Sequence, residues 1–590
     1  MVIQKETKIW TTRILVATLL TVFASAVISS IGCVNPIRRG QSPDQSFSKL
    51  ANKKDESNTT FIGDVCGVRG LRPVVVEGLG LVVGLDGTGS NPGPSEQKDY
   101  LLRELKAHKS TSSAKEALKS PNTSMVLVRA LIPAAAKKGD KIDVEVSTVP
   151  KSDTKSLKFG KLLTSDLRPV AASGRHVRFG HIAAKSKGQI LVDSMFASRE
   201  DEETLASGRI LGGATIKEDR ELSLVVNSEE TSVKLARIIA HAINQRYSAS
   251  TADRQENVAH PITDRVIELQ IPESYQHNLG RFIQALQAMP YGEKVEDRLA
   301  RLDELERKII DPSLARRAAV ELEAIGEEAV PALERALKNP DFEVRFHVAE
   351  ALAYLGETAG IPHLKLAAES EPAFRWHALT ALASIDKPSA KEAMTSLFNV
   401  QSAETRYGAF RAIKASQGSR GSMSGVLLSD DFYLHEVDSK VDGMIHFSRT
   451  KQPEIVIFGN DQAVASNFMF VEPGLTIRAI NADRIQITRF DPIDGKTNFS
   501  CSTQAADLIR TMSRLGADYT TILEMFREAD SGDTLAGRLV INAAPKIGSK
   551  SMSDSVNSES ERSEKYIAAP APELFSDIDG SASRDESDEQ

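Results

Sequence analysis

At 590 residues and 41% hydrophobic content, the chain is long enough for several domains of about 150 residues with cores of ordinary size. A formal net charge of −7, with basic residues alternating with acids, leaves no basic stripe for nucleic acid. Three cysteines, Cys33, Cys66 and Cys501, exclude a disulfide-framework fold and any four-cysteine metal site within one chain.

The N-terminus reads as an export signal over residues 1–32, with Lys5, Lys8 and Arg13 ahead of an uncharged stretch from Ile14 to Ile31. Two processing sites compete. Ala24-Ser25-Ala26 is an A-x-A cleavage signal, and Ser30-Ile31-Gly32-Cys33 resembles a lipoprotein box with Ser30 where leucine is usual, making Cys33 a candidate lipidation site. Residues 33–60 are a polar tether too poor in apolar groups to pack.

Gly67 to Ser90, GVRGLRPVVVEGLGLVVGLDGTGS, is an apolar run bounded by glycines. Gly78, Gly80, Gly84, Gly87 and Gly89 allow backbone that a Cβ would forbid, so the run is expected to be extended chain pinned by tight turns. It is not a nucleotide loop. Gly89 is followed by Ser90 and Asn91 rather than by Lys-Ser/Thr, and Val83 stands where a dinucleotide fingerprint needs its third glycine.

From Phe61 to about Gln270 the pattern is mostly β, with Ile142, Val144 and Val146 alternating with Asp143, Glu145 and Ser147, and Ile267, Leu269 and Ile271 alternating around Glu268 and Gln270. Between them Asn227 and Glu230 form a capping box for a helix whose stripe is Val233, Ala236, Ala240 and Ile243. A second helix is expected from about Tyr275 to Met289, closing an α+β module over 61–292.

Residues 296–418 carry an internal repeat of about thirty residues. Arg345, Val348, Ala351 and Leu352 recur as Arg375, Ala378, Ala381 and Leu382, and again as Arg406, Ala409, Ala412 and Ile413. The first copy, Leu314 to Gly326, keeps Ala318, Leu322 and Ile325 without the arginine. Pro331 and Pro362 open the second helix of their units, where a missing N–H costs nothing. The pattern resembles HEAT-like helical pairs stacked as a short α-solenoid with a concave surface. The recurring arginine is expected to bond the neighbouring repeat, and Phe346 and Trp376 to pack between repeats.

Beyond a Gly/Ser linker, Gln417 to Gly425, a second β-rich module over 426–545 has candidate strands at 426–428, 445–447, 455–458 and 475–480, and an alternation through Ile485, Ile487 and Phe490. Closing helices follow, with Thr503 as a cap, Leu508, Met512 and Leu515 as a stripe and Gly516 as the stop. Residues 546–590 form an acidic tail expected to be disordered; 551–590 hold eleven acids and three bases. The fold class is α+β throughout: a mixed module, a solenoid, and a β-rich module with closing helices.

No catalytic, cofactor-binding or metal-ligating residue is assigned. The eleven histidines form no HExxH or HxH; His176 and His181 have no ligand cluster between them, and His377 sits on a repeat helix. No GxSxG elbow is present, and Asp430-Asp431 and Glu229-Glu230 read as solvated element ends. Lys151, Lys155, Lys158 and Lys161 read as a wet strand face or loop.

Several of these segments together resemble the bacterial flagellar P-ring proteins. Gly67-Val68-Arg69 and Gly80 to Gly89 are similar to the family's "GVR…GxGLVVGLxGTGD" stretch. Leu131-Ile132-Pro133 with Gly139 to Ser147, then Lys155-Ser156-Leu157 with Gly160 to Thr164, resemble its next landmarks in order. Ala505 to Ala517 and Leu535 to Val540 resemble its closing helices, so the likeness covers about 62–290 and 500–545. The family's "VVINxRTGT" strand has no counterpart after Met289, and the repeats stand in its place. The resemblance implies a non-enzymatic subunit of a periplasmic homo-oligomeric ring around the flagellar rod, meeting the rod, outer-membrane ring components and peptidoglycan. A disulfide between Cys66 and Cys501 would tie its two family-like ends together, and the solenoid would project as a docking arm. The competing classes are an exported adaptor lipoprotein that binds a protein through the solenoid, and an envelope hydrolase with an unrecognised site.

Overall fold

The structure is a computed structural model that describes residues 59–547, except 108–113, 174–175, 194–204, 228–230, 252–253, 418–422, 424, 473 and 492–494, together with Leu574. The export signal, Cys33, the tether up to Asn58, Glu229-Glu230 and the acidic tail beyond Ile547 other than Leu574 therefore lie outside the described residues.

The glycine-bounded run becomes the strand Val74–Val83. It pairs antiparallel with Thr123–Ile132 on one side and with Lys161–Ser173 on the other. Thr123–Ile132, Lys141–Thr148, Ser207–Ile216, Ala184–Gln189 and Lys161–Ser173 pair in that order, so the sheet closes on itself as a six-stranded antiparallel barrel. Closure needs a tight seam, and its register shifts between Glu77 and Val82. A Cβ on Gly78 would stand 2.3 Å from the Asp166 carbonyl oxygen, and one on Gly80 would stand 2.5 Å from a Leu162 methyl. The glycines are what allow the seam to close. At the strand's exit Gly84 and Gly87 have φ of 84° and 80°, the turn conformation expected of them. Helix α1, Glu96–Ala107, covers one outer flank through Leu101 and Leu105.

A second, four-stranded antiparallel sheet orders Cys66–Arg69, Leu222–Val226, Val266–Leu269 and Ala259–Pro261. Helices α2, Val233–Tyr247, and α3, Leu279–Gln287, cover it. Helix α2 starts later than the sequence pattern suggests. Ser232 is its cap, accepting from Leu235 N, and the buried stripe is Ala236, Ile239, Ala240, Ile243 and Tyr247, with Val233 exposed. The expected second helix divides into a short 3₁₀ turn at Glu273–Tyr275 and α3, capped by Asn278.

The repeats form four helical pairs: α4, Val295–Lys308, with α5, Pro312–Ile325; α6, Val330–Ala336, with α7, Phe342–Tyr354; α8, Ile361–Ser370, with α9, Pro372–Ser384; and α10, Pro388–Ser396, with α11, Ala403–Gln417. Asp311 and Asp341 cap α5 and α7, and Pro331 and Pro362 fall in the first turn of α6 and α8. Helices α5, α7, α9 and α11 line up as an inner row. Ten of thirteen residues of α7 and eleven of thirteen of α9 are buried, far more than an amphipathic surface helix hides.

The C-terminal module has two sheets. One is mixed, ordered Val426–Leu428, Phe432–Val437, Glu454–Phe458, Met444–Phe447 and Arg538–Ile541. The other is antiparallel, ordered Met469–Glu472, Leu475–Ala479, Arg484–Asp491 and Gly495–Ser502. Helices α12, Ala505–Arg514, and α13, Tyr519–Ser531, follow. Leu508 and Met512 form the buried side of α12 and Gly516, at φ 86°, ends it, but Gln504 takes the cap position while the Thr503 hydroxyl bonds Ala482 O instead. Residues 538–541 are a strand, not part of a closing helix: Leu539 and Val540 pair in parallel with Ile445 and His446.

The seam can be tested by thermal unfolding. Gly78→Ala is expected to cost about 3 kcal/mol, because backbone has to move to admit the methyl. Gly87→Ala meets nothing within 4 Å. It is expected to cost only the left-handed strain of about 1 kcal/mol. Equal effects at the two positions would refute the seam.

Candidate functional site

The described residues include no group of three or more His, Cys, Asp and Glu placed to hold a metal ion, and no helix long and apolar enough to cross a membrane. Cys66 is buried on the edge strand of the small sheet, and burial pushes its thiol up to about 11; Cys501 lies on the strand Gly495–Ser502 beside a different core. Both are free thiols, so the Cys66–Cys501 pairing is not a feature of this structure. His181 is exposed beside Glu218 at 3.2 Å, while Asp431 accepts from Tyr519 N at 2.9 Å at the start of α13. Lys158 reaches Glu524 of α13 at 2.8 Å, so it is an inter-module contact rather than a wet face.

The polar chemistry gathers where the array meets the rest of the chain. At its first junction Arg281 of α3 is 4% exposed and donates through Nε and Nη2 to Glu323 Oε2 of α5 at 2.9 and 2.7 Å. Its Nη1 donates to Glu350 Oε2 of α7 at 2.9 Å. Tyr275 Oη donates to Glu323 Oε1, and Asn278 Nδ2 donates to Tyr354 Oη, both at 2.8 Å; the Tyr275 and Tyr354 rings stack at 4.8 Å. Burial alone would raise the Glu350 carboxyl, but Arg281 and His377 bring it down to about 2. His347 is held neutral by burial, its pKa near 3.

The second junction lies at the other end of the array. Glu454 opens a fully buried strand and is 1% exposed. It accepts from Tyr407 Oη at 2.8 Å and Lys414 Nζ at 2.5 Å, with Arg411 at 3.7 Å; all three belong to α11. His435 stands 3.6 Å away, and His446 stacks on Tyr407 at 3.5 Å between centroids. Burial would raise Glu454, yet the neighbouring His435 and the charges of Arg411 and Lys414 hold it far below the usual carboxylate range. None of Arg281, Glu323, Glu350 or Glu454 stands out as a motif. The available signal was a charge set within an apolar stripe, such as Glu350 between Ala349 and Ala351.

The recurring arginines bond the chain's own groups, but of the three Arg375 alone reaches the neighbouring repeat, as the pattern implied for all. Arg345 donates to the carbonyls of Asn339 and Pro340, Arg375 to Ala368 O and to Glu404 of the next repeat at 2.6 Å, and Arg406 to Asp442 O. Phe346 and Trp376 are 1% and 2% exposed and serve packing. Among the described residues the inner helices are largely covered: one buried cluster runs from α2 and α3 through α7, α9 and α11 to Val437, Met444, Val456 and Phe458 of the five-stranded sheet.

The barrel also meets the C-terminal module directly. Asp143 accepts from Gly212 N at 2.6 Å and Lys451 N at 2.8 Å, and Arg449 lies 3.3 Å from Asp193. Near Lys158, burial and the neighbouring Glu524 carboxylate push Glu472 up to about 8, against the pull of Lys158.

With this geometry in hand, residues 62–304 match the flagellar P-ring protein family and residues 303–372 match HEAT repeats. The chain thus resembles the flagellar P-ring protein family over residues 62–304, less than half of its length. It is similar to the flagellar P-ring protein of Helicobacter acinonychis, 27% identical over 262 residues, 43% of this chain and 66% of the relative. Those of Thermotoga maritima, 30% identical over 38% of this chain and 65% of the relative, and Albidiferax ferrireducens, 32% identical over 32% and 51%, are also similar. The chain thus spans just under two thirds of the first two relatives and about half of the third. The P-ring match stops where the HEAT match begins.

The junctions give two expected outcomes. Arg281→Met strands two buried carboxylates and is expected to cost about 3–5 kcal/mol in urea unfolding, whereas a loss below about 1 kcal/mol would remove the junction's significance. Glu472 has a folded pKa of about 8 above an ordinary 4.5, so its contribution is complete below 4.5 and is lost as pH rises through about 8. Melting temperature should fall over that window, and Glu472→Gln should flatten the fall. An unchanged slope in the variant would refute the assignment.

Proposed function

We propose that this protein is a structural subunit of the flagellar basal-body P ring, a periplasmic bushing around the rod that supports motility. The observation that carries the reading is the family match over residues 62–304, which takes in both the glycine seam and the barrel it closes. A bushing needs stiff bodies, large contacts between copies and an inner face that does not grip the rod. It needs no nucleophile, base or metal. The closed barrel, which leaves few free edges, and the continuous cores suit such a part.

In this reading the main partner is a second copy of the chain, met head to tail through two different faces, since a heterologous contact forms a closed ring only at a fixed rotation. The rod, outer-membrane ring components and peptidoglycan are the other neighbours. Residues 1–32 direct export, and the mass of the mature N-terminus distinguishes cleavage after Ala24-Ser25-Ala26 from lipidation at Cys33.

Deleting the gene and imaging purified basal bodies tests the reading. Loss of swimming together with loss of one periplasmic ring is expected. A secreted monomer absent from the basal body would overturn it in favour of an envelope adaptor.

A further inference from the structure

We propose that the helical array is an internal brace, whose inner helices seat the small-sheet body at one end and the five-stranded sheet at the other and so fix the angle between them. This rests on the P-ring reading only for its consequence in the ring; the brace itself is a property of the single chain.

The four bodies form a closed circuit. The small sheet is joined to the barrel by residues 70–73 and 217–221, where Arg220 donates to Ile132 O at 2.9 Å and to Arg72 O. The barrel meets the C-terminal module through Asp143, Asp193 and Lys158. Without the array these bodies would make an open string. Helix α3 seated on α5 and α7, and the five-stranded sheet seated on α11, turn the string into a loop. A closed loop of stiff bodies has fewer ways to bend than an open one.

The repeat positions assign each seat to its own body. Five residues after each recurring arginine stand Glu350, Thr380 and Arg411. These occupy equivalent places on α7, α9 and α11. Glu350 accepts from Arg281 at 2.9 Å, Thr380 donates within its own helix to Trp376 O, and Arg411 lies 3.7 Å from Glu454. One register position thus carries an acid for the basic body, a neutral residue between, and a base for the acidic one. Tyr354, at the end of α7, and Tyr407 of α11 add a ring contact to each seat. The inner row is consequently taken up by its own chain, so docking through the repeats would have to use their outer helices.

Hydrogen exchange on the unmodified full-length protein is the first test. Amides of α3, α7, α11 and the strand Glu454–Phe458 are expected to open as one unit. Glu350→Gln and Glu454→Gln keep side-chain shape, and each should speed exchange in both seated bodies about tenfold or more. Leu299→Asp and Leu366→Asp, on exposed positions of α4 and α8, should leave it unchanged. If α7 and α9 open while α3 and Glu454–Phe458 stay protected, the bodies hold one another without the array and the brace is overturned. Imaging adds a second readout. Rings built from Glu454→Gln protein should spread in diameter, and uniform rings despite an opened junction would also overturn the brace. If the unmodified protein makes no ring, the P-ring reading fails instead, and exchange alone decides the brace.

Discussion

A sheet whose central strands are buried on both faces governs this molecule. Every residue of Glu454–Phe458 and Met444–Phe447 is buried. The alternation of a strand then divides them between two cores: Val456, Phe458 and Met444 join the array, while Ile455, Ile457, Ile445 and Phe447 join the closing helices, the second sheet and the barrel. These two central strands have no wet face and read as continuous apolar sequence. They can exist only between their two partners, so the helical array is part of the C-terminal module's core and cannot be treated as an ornament on it.

Chain connectivity reinforces that dependence. Arg538–Ile541 enters the sheet parallel to Met444–Phe447, after the two closing helices have crossed the opposite face. The segment that follows turns back to the array: Ala543 N donates to His446 at 3.0 Å, and Pro545 lies so near α11 that a Cβ on Gly408 would stand 2.6 Å from it. Leu574 is buried in the same cluster, its carbonyl accepting from Arg411. Contacts this distant in sequence put the array, the sheet and the chain's return into one cooperative unit.

Much of this was legible from local pattern. Glycine spacing marked the strand and its turns, the arginine period marked the helical pairs, and Ile142, Val144 and Val146 marked a strand with one buried face. What escaped was long-range. Closure of the barrel depends on Val74–Val83 meeting Lys161–Ser173 across many residues, which no window reveals. Residues 538–541 passed for helix because four apolar-rich residues carry no period of their own and their partner strand decides. Ser232 displaced Asn227 as the cap because both are competent residues and only the packing of Ile239 and Ile243 selects the start. Arg281, Glu323, Glu350 and Glu454 escaped for a related reason: each is an ordinary surface residue by type, and only tertiary structure buries it.

Buried charge is a costly way to hold helices together, and apolar side chains of the same volume would often do as well or better for stability alone. The repeats give a reason for it here. Helices α5, α7 and α9 present similar surfaces of alanine and leucine, so an apolar α3 could sit one repeat along with little loss. Arg281 cannot. It needs Glu323 and Glu350 on adjacent helices, and a shift by one repeat would set it against Thr380 with a single carboxylate in reach. Misplacement therefore leaves a guanidinium half-paired and a carboxylate bare in a dry interior, a penalty of several kcal/mol. In an array built from near-repeats, charge supplies the register that shape alone would leave degenerate, and the two β bodies can be seated in only one way.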